Sequence, residues 1–597
     1  MDTPPLVVVA GTALVVLAVL AAVPRFRRRS LLTYGGPVAV LAGVGAAVAL
    51  GTMGLWRGVA NAAVVALVGA GLAVLSTDDG RRVVRRVRTR LLFGVPWGTL
   101  AVTAFVLAFY LVVQSGAPGG DRLLVVPFVS WSYFYPLGVV TAPFAHASLG
   151  HVTGNLIATL AFAPLAEYAF SHFPTSRGAS AFSSWRSNPY VRALVLFPAG
   201  VLAVGLLTGV FSWGATVGFS GVVYAFAGFA LVRFPLAAVV AVTARQALSV
   251  LWNVLNDPVT YASASPSFGP PWWAGIAVQG HLFGFLVGAV LAAVLVTRRG
   301  DRPSPVRTWV GAVVLTSSLS LWAVWWYGQT AQYVLYRAVG LLLVATLAVV
   351  LTAVVNAEDR TLVSDLTARK VATLALVFPV VTMAIVAVPV NLATVQDSSL
   401  PGNPVEIRGY TVTYAEDVQN ERVSAVDVPL FAQTTNVTAS GVVVASESRN
   451  IWTEQVSAGE LALYGDSAVT VGGLDWQATV WVHRRGWVAN GGAPVYNVYV
   501  DPPARYANGD GGWRHVYASD SSTASPVVAG RTVRIDAQGG AFGVQVLRNG
   551  SVVDSVGVPD RNETARAGGL TFVRNGTRLL AEYGNTSVTV ASKETYE

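Results

Sequence analysis

The chain contains no cysteine, which excludes thiol catalysis, cysteine-ligated metals and disulfides at once. Histidine is scarce, six in 597 residues, and none of the six shows the HExxH spacing of a zinc protease, so no metal and no cofactor is implied. Charge is scarce too. Only 12% of residues are Asp, Glu, Lys or Arg while 53% are hydrophobic, a balance that no soluble globular chain carries. The few charges are also unevenly placed. Residues 395–597 hold 21 acidic and 15 basic residues, which leaves 10 acidic and 25 basic upstream. The basic excess therefore belongs to loops between membrane spans and gives no reason to invoke nucleic acid.

What is abundant is long apolar sequence. Twelve segments approach the roughly 20 residues that cross about 30 Å of hydrocarbon. Their approximate limits are 6–23, 32–52, 57–76, 92–114, 150–170, 191–209, 217–234, 236–255, 273–296, 308–327, 333–355 and 371–394. Arginine clusters at Arg25–Arg29, Arg81–Arg90, Arg298–Arg307 and Arg360–Lys370 all fall on one side when these spans alternate, and positive charge marks that side as cytoplasmic. The segment 123–145 is apolar and long enough to span. It is punctuated by Pro127, Pro136 and Pro143 and crowded with aromatics, and counting it would split the arginine clusters. It reads as a loop at the outer leaflet.

Three polar clusters interrupt this apolar sequence: His146-Ala-Ser-Leu-Gly-His151-Val-Thr-Gly-Asn155, Gly218-Phe-Ser220-Gly221-Val-Val-Tyr224, and Gly280-His281-Leu-Phe-Gly284 followed by Gly288. Each begins a span, and the topology puts all three on the outer side. A strongly polar side chain at membrane depth is costly, so it marks a functional site. His151 and Asn155 share a helical face, as do Ser220 and Tyr224. Gly221, Ala225 and Gly228 line one face of the serine helix; Gly284, Gly288 and Ala292 line one of the histidine helix. Small residues at that spacing let two membrane helices approach closely, as a serine–histidine hydrogen bond between them requires. Each feature has a plainer reading. Gly-x-Ser-Gly also suits ordinary helix packing, and a lone histidine usually bonds a neighbouring helix. Glu167 reads as a structural acid near the cytoplasmic end of its span, and His172 as a loop residue.

With these three motifs in this order, the chain resembles the rhomboid family of intramembrane serine proteases. The family pattern HxxxxHxxxN appears as His146, His151 and Asn155, GxSGxxY as Gly218 to Tyr224, and HxxGxxxG as His281, Gly284 and Gly288. The Trp-Arg pair common in the family's first outer loop is absent, and Trp131-Ser-Tyr stands there instead. The resemblance implies a six-helix core over residues 91–297 and a Ser220–His281 dyad without a carboxylate. No Asp or Glu lies in either span. It further implies an oxyanion hole from His151, Asn155 and the Ser220 amide, with His146, Gly218, Gly221, Tyr224, Gly284 and Gly288 in support. Cleavage of peptide bonds in or near transmembrane segments of membrane-protein substrates, within the lipid bilayer, is the implied activity. A silent relative that binds membrane helices and a twelve-span transporter are the rivals. Retention of both Ser220 and His281 weighs against the first, and the lack of internal repeats against the second.

Outside that core the expectation is three additional spans in 1–90, three in 298–394, and a β-rich extracytoplasmic domain in 395–597. Segments at 479–483, 495–500 and 532–535 alternate apolar and polar residues with period two, and Asn549-Gly550 separates two such runs. Five Asn-x-Ser/Thr triplets, at Asn436, Asn549, Asn562, Asn575 and Asn585, are permissive for glycosylation. The whole is a multi-pass α-helical membrane protein with its active site and C-terminal domain facing outside.

Overall fold

The computed structural model describes residues 36–597 except 118–122, 175–177, 261–269, 301, 328–331, 359, 364–365, 397–398, 421, 425–437 and 505–511. The expected span 6–23, the cluster Arg25–Arg29 and the triplet at Asn436 lie outside the described residues. Among the described residues, the part before the β region is built on twelve longer helices. They are α1 (Gly36–Ala49), α2 (Leu55–Ser76), α3 (Asp78–Arg90), α4 (Trp97–Val113), α5 (Leu149–Phe170) and α6 (Pro189–Phe211), then α7 (Ser220–Arg233), α8 (Pro235–Asn256), α9 (Val278–Arg299), α10 (Pro305–Ser318), α11 (Arg337–Asn356) and α12 (Ala368–Asn391). Among the described residues, seven of these (α2, α5, α6, α8, α9, α11 and α12) are long and apolar enough to cross a membrane, and α4 and α7 are shorter apolar helices. The protein is a multi-pass helical membrane protein with an all-β C-terminal region.

Three parts of the expected topology take a different form. Residues 308–327 do not make one span. Helix α10 stops at Ser318, about 21 Å long at 1.5 Å per residue. The chain then turns through Ser320, held at φ +58°, into a small antiparallel hairpin, Trp325–Tyr327 against Tyr333–Leu335. The serine segment is also short. Helix α7 begins only at Ser220, because residues 212–219 form irregular backbone in which Gly214 and Gly218 take positive φ. The histidine helix α9 begins at Val278, five residues later than the apolar run suggests, which puts His281 in its first turn. The loop 123–145 does not span: it holds a 3₁₀ turn at Val126–Phe128 and a six-residue helix, Pro136–Thr141.

Helix α3 is the polar exception. Thr77 caps it by accepting from the Gly80 amide, Asp78 and Asp79 sit in its first turn, and Arg88 and Arg90 in its last, each charge matching the helix dipole. Its far end is tied to α5. The Arg90 guanidinium lies over Tyr168, and the Arg90 carbonyl accepts from the His172 amide. Beside it Glu167, fully buried, accepts from the Gly98 and Thr99 amides (2.7 Å each), the Thr99 hydroxyl and His172 Nε2. A carboxylate thus caps the start of α4, satisfying amides that a helix N-terminus leaves open.

From Ala393 onward the described residues form antiparallel β structure in a four-stranded, an eight-stranded and a second four-stranded sheet, plus a short strand pair, with one short helix at Ala458–Tyr464. The alternating runs fall in strands Gln477–Ala489, Pro494–Asp501 and Arg531–Gln538. Asn549 and Gly550 both have positive φ and join Ala541–Arg548 to Ser551–Gly557, the type I′ geometry that Asn-Gly favours. Among the described residues, the two largest cores of the β region are separate. One, around Val533, Ile535, Phe572 and Val590, belongs to the domain alone. The other, around Val412, Val444, Val480 and Val498, takes in Val126, Val129 and Trp131 of the loop 123–145. The β region is therefore seated on that loop.

Candidate active site

Close contact between α7 and α9 creates the centre of the site. A Cβ built on Gly284 would stand 2.1 Å from the Gly221 carbonyl oxygen, and one on Gly288 would stand 1.9 Å from that of Ala225. One on Gly228 would be 2.0 Å from the Phe285 carbonyl oxygen. Only glycine permits such backbone approach. At that separation Ser220, the first residue of α7, meets His281, in the first turn of α9: Nε2 lies 2.8 Å from Oγ. The imidazole is fixed from one face by Tyr224, whose ring stacks on it at 4.1 Å and 10°. The Tyr224 hydroxyl donates in turn to the Leu319 carbonyl at the end of α10. His281 Nδ1 is buried without a hydrogen-bond partner among the described residues, and no carboxylate completes a triad.

The first motif converges from α5. Ser148 caps that helix by accepting from the His151 amide, which starts α5 immediately before His151. Asn155 follows one turn on. Both side chains face Gly218: a Cβ there would lie 2.7 Å from His151 Nε2 and 3.7 Å from Asn155 Nδ2. With φ at +127°, Gly218 also occupies backbone space closed to most side chains. Asn155 Nδ2 is buried without a partner among the described residues, a donor left open. The Ser220 amide, at the N-terminus of α7, has no intrahelical acceptor either. His151 and Asn155 thus flank Gly218, two residues before the Ser220 amide.

His146 sits one layer behind. Its ring packs edge-on to His151 at 5.0 Å, and its Nε2 accepts from the Phe219 amide at 3.4 Å. Gln114, buried at the end of α4, holds it in place by accepting from the His146 amide and donating to its carbonyl. A small cavity opens beside Ser220 and His281, walled by Ala142, Thr208, Gly209, Ser212, Gly218 and Gly280. Apart from Pro143 and Val217 its walls are small or hydroxylic, so the pocket is narrow and offers polar groups to water.

Gln114, Gln279 and Asn391 have no motif to mark them, and sequence reasoning passed over all three. A carboxamide within an apolar helix is the signal they share. The loop of Trp131 also carries a feature that sequence could not reveal. The Trp131 indole donates to the Val126 carbonyl, and its own carbonyl accepts from Arg422 of the β region at 2.6 Å, the guanidinium lying 5.8 Å from the indole ring. The arginine missing next to Trp131 in sequence is met by one 291 residues away. His483 and His515, in the β region, pair with Asp466 and Asn497 respectively and stand apart from the site.

Residues 134–298 match the family described as Rhomboid domain, a span that includes all three motifs. No curated protein and no solved structure matches the chain.

Proposed function

We propose that this chain, which belongs to the rhomboid family, is an intramembrane serine endopeptidase that hydrolyses peptide bonds in or near transmembrane segments of membrane-protein substrates. The observation that carries the reading is the 2.8 Å contact between Ser220 Oγ and His281 Nε2, made by two helices packed through glycine. His281 Nε2 takes the proton as Ser220 Oγ attacks the scissile carbonyl, and returns it to the leaving amine. The acyl-serine is then hydrolysed by water activated through the same nitrogen. Stacking on Tyr224 replaces the orienting role that a carboxylate plays in a triad. The Ser220 amide, His151 and Asn155 receive the developing oxyanion, which also lies at the positive end of α7. The open Asn155 amide supports that role. Small walls around the adjacent cavity favour a small side chain beside the scissile bond.

The motif-bearing ends of α5, α7 and α9 lie together, opposite Arg90, Arg298 and Arg299, and the β region follows α12 on the site's own side. With arginine-rich ends cytoplasmic, both the site and the β region face outside, and cleavage releases the external part of the substrate. Ser220→Ala and His281→Ala test the reading. Each should abolish cleavage of a transmembrane reporter at normal expression, and full activity in either would refute it.

A further inference from the structure

Five consecutive residues just upstream of the serine are gripped by two side-chain amides in strict alternation. Asn391, at the end of α12, donates from Nδ2 to the carbonyls of Val210 (3.2 Å) and Ser212 (2.7 Å) and accepts at Oδ1 from the Gly214 amide (2.9 Å). Gln279, in the first turn of α9, takes the intervening residues. Its Nε2 donates to the Phe211 carbonyl and its Oε1 accepts from the Trp213 amide, both at 2.9 Å. A primary amide offers two N–H donors and a carbonyl acceptor. Asn391 uses all three and is 3% exposed.

The segment so held is the exit of α6 into the irregular stretch 212–219. Backbone without helical partners at membrane depth must find polar groups inside the protein, and these two amides supply them. The fixation continues to the nucleophile. Ser130 exchanges hydrogen bonds with Thr216, and the Gly218 amide donates to the Ala142 carbonyl. Gln279 stands two residues before His281 on the same helix. Holding residues 211 and 213 therefore ties the path into Ser220 to the start of the base-bearing helix.

We infer that Asn391 and Gln279 act together as positioning residues, setting where Ser220 lies relative to His281. The inference rests on the dyad assignment above. It gives the appended helix α12, outside the matched residues 134–298, a part in catalysis that the family domain does not supply. A 1 Å error in such placement can cost about 10²-fold.

The test uses purified full-length protein and the rate at which a fluorophosphonate labels Ser220, corrected for folded fraction. Asn391→Ala and Gln279→Ala should each slow labelling about 10- to 100-fold. For a transmembrane substrate, kcat should fall while KM stays within about two-fold. The double variant should label about as slowly as the slower single one, because both amides act on one segment. Labelling per folded molecule at the wild-type rate, even with a lowered melting temperature, would overturn the inference and leave Asn391 a helix anchor. If Asn391→Ala is not recovered folded, Ser130→Ala decides. It loosens the same stretch at Thr216, and wild-type labelling there overturns the inference as well. Ser220→Ala separates the two levels: residual cleavage by it defeats the dyad itself, whereas an inert Ser220→Ala beside a fully active Asn391→Ala defeats only the positioning.

Discussion

Gly284→Ala adds one methyl group at the α7–α9 contact that lies nearest the dyad. The new Cβ would stand 2.1 Å from the Gly221 carbonyl oxygen, against 3.4 Å where ordinary contact begins, so the backbones must part by roughly 1.3 Å. Backbone on both sides of the clash leaves no flexible side chain to yield. Gly284 lies one turn from His281 and Gly221 is bonded to Ser220, so most of that movement reaches the dyad. The 2.8 Å contact then approaches about 4 Å, beyond hydrogen bonding. Proton transfer fails, and a displacement of this size corresponds to a loss of about 10²-fold or more. The assay is the fluorophosphonate labelling rate of Ser220, with Gly200→Ala as control, since nothing lies within 4 Å of a Cβ at Gly200 on α6. Labelling of folded Gly284→Ala at the control's rate would refute the coupling of helix separation to catalysis.

Asn155→Ala should slow turnover by about 10²-fold with little change in substrate binding, and a defect confined to KM would assign Asn155 to binding instead. In the β region, burial acts to raise the Glu416 pKa, but hydroxyl donors from Tyr496, Tyr414 and Tyr517 outweigh it and hold the carboxyl below its ordinary 4.5. A depressed pKa contributes stability above the unfolded value and loses it as pH falls through the folded one. Acid melting should therefore weaken the domain below pH 4.5, and Glu416→Gln should flatten that dependence; an unchanged acid limb in Glu416→Gln would count against the cluster. Single cysteines introduced at Asn256 and Arg302 test orientation in intact cells. The first should react with an impermeant thiol reagent and the second should not, and the reverse pattern inverts the topology. A chain ending at residue 396 keeps Asn391 and should still label at Ser220, but with a lowered melting temperature because Val126, Val129 and Trp131 lose their shared core; failure of the inserted protein to label would make the β region part of the catalytic machinery.

Much of this architecture is dictated locally. A membrane span is a matter of length and hydropathy, because hydrocarbon offers no partner to backbone or charge, so most helices are visible as apolar runs. The strands betray themselves by period-two alternation and the 549–550 turn by the φ that Asn-Gly tolerates. The His151–Asn155 and Ser220–Tyr224 pairs follow from helical spacing, and the glycine faces of α7 and α9 were legible as small residues three and four apart. Hydropathy could not show that α7 begins at Ser220 or that α10 ends at Ser318. Non-helical backbone survives at membrane depth only where distant groups bond it, and those groups lie far off in sequence. Asn391 grips residues 210–214 from some 180 positions away, and Arg422 reaches Trp131 from 291. Glu167 caps α4 from 69 residues away, and the Leu319 carbonyl receives Tyr224 across 95. Such pairings depend on how helices and sheets are set against one another, so only tertiary structure decided them: they satisfy polar groups that the local sequence leaves open.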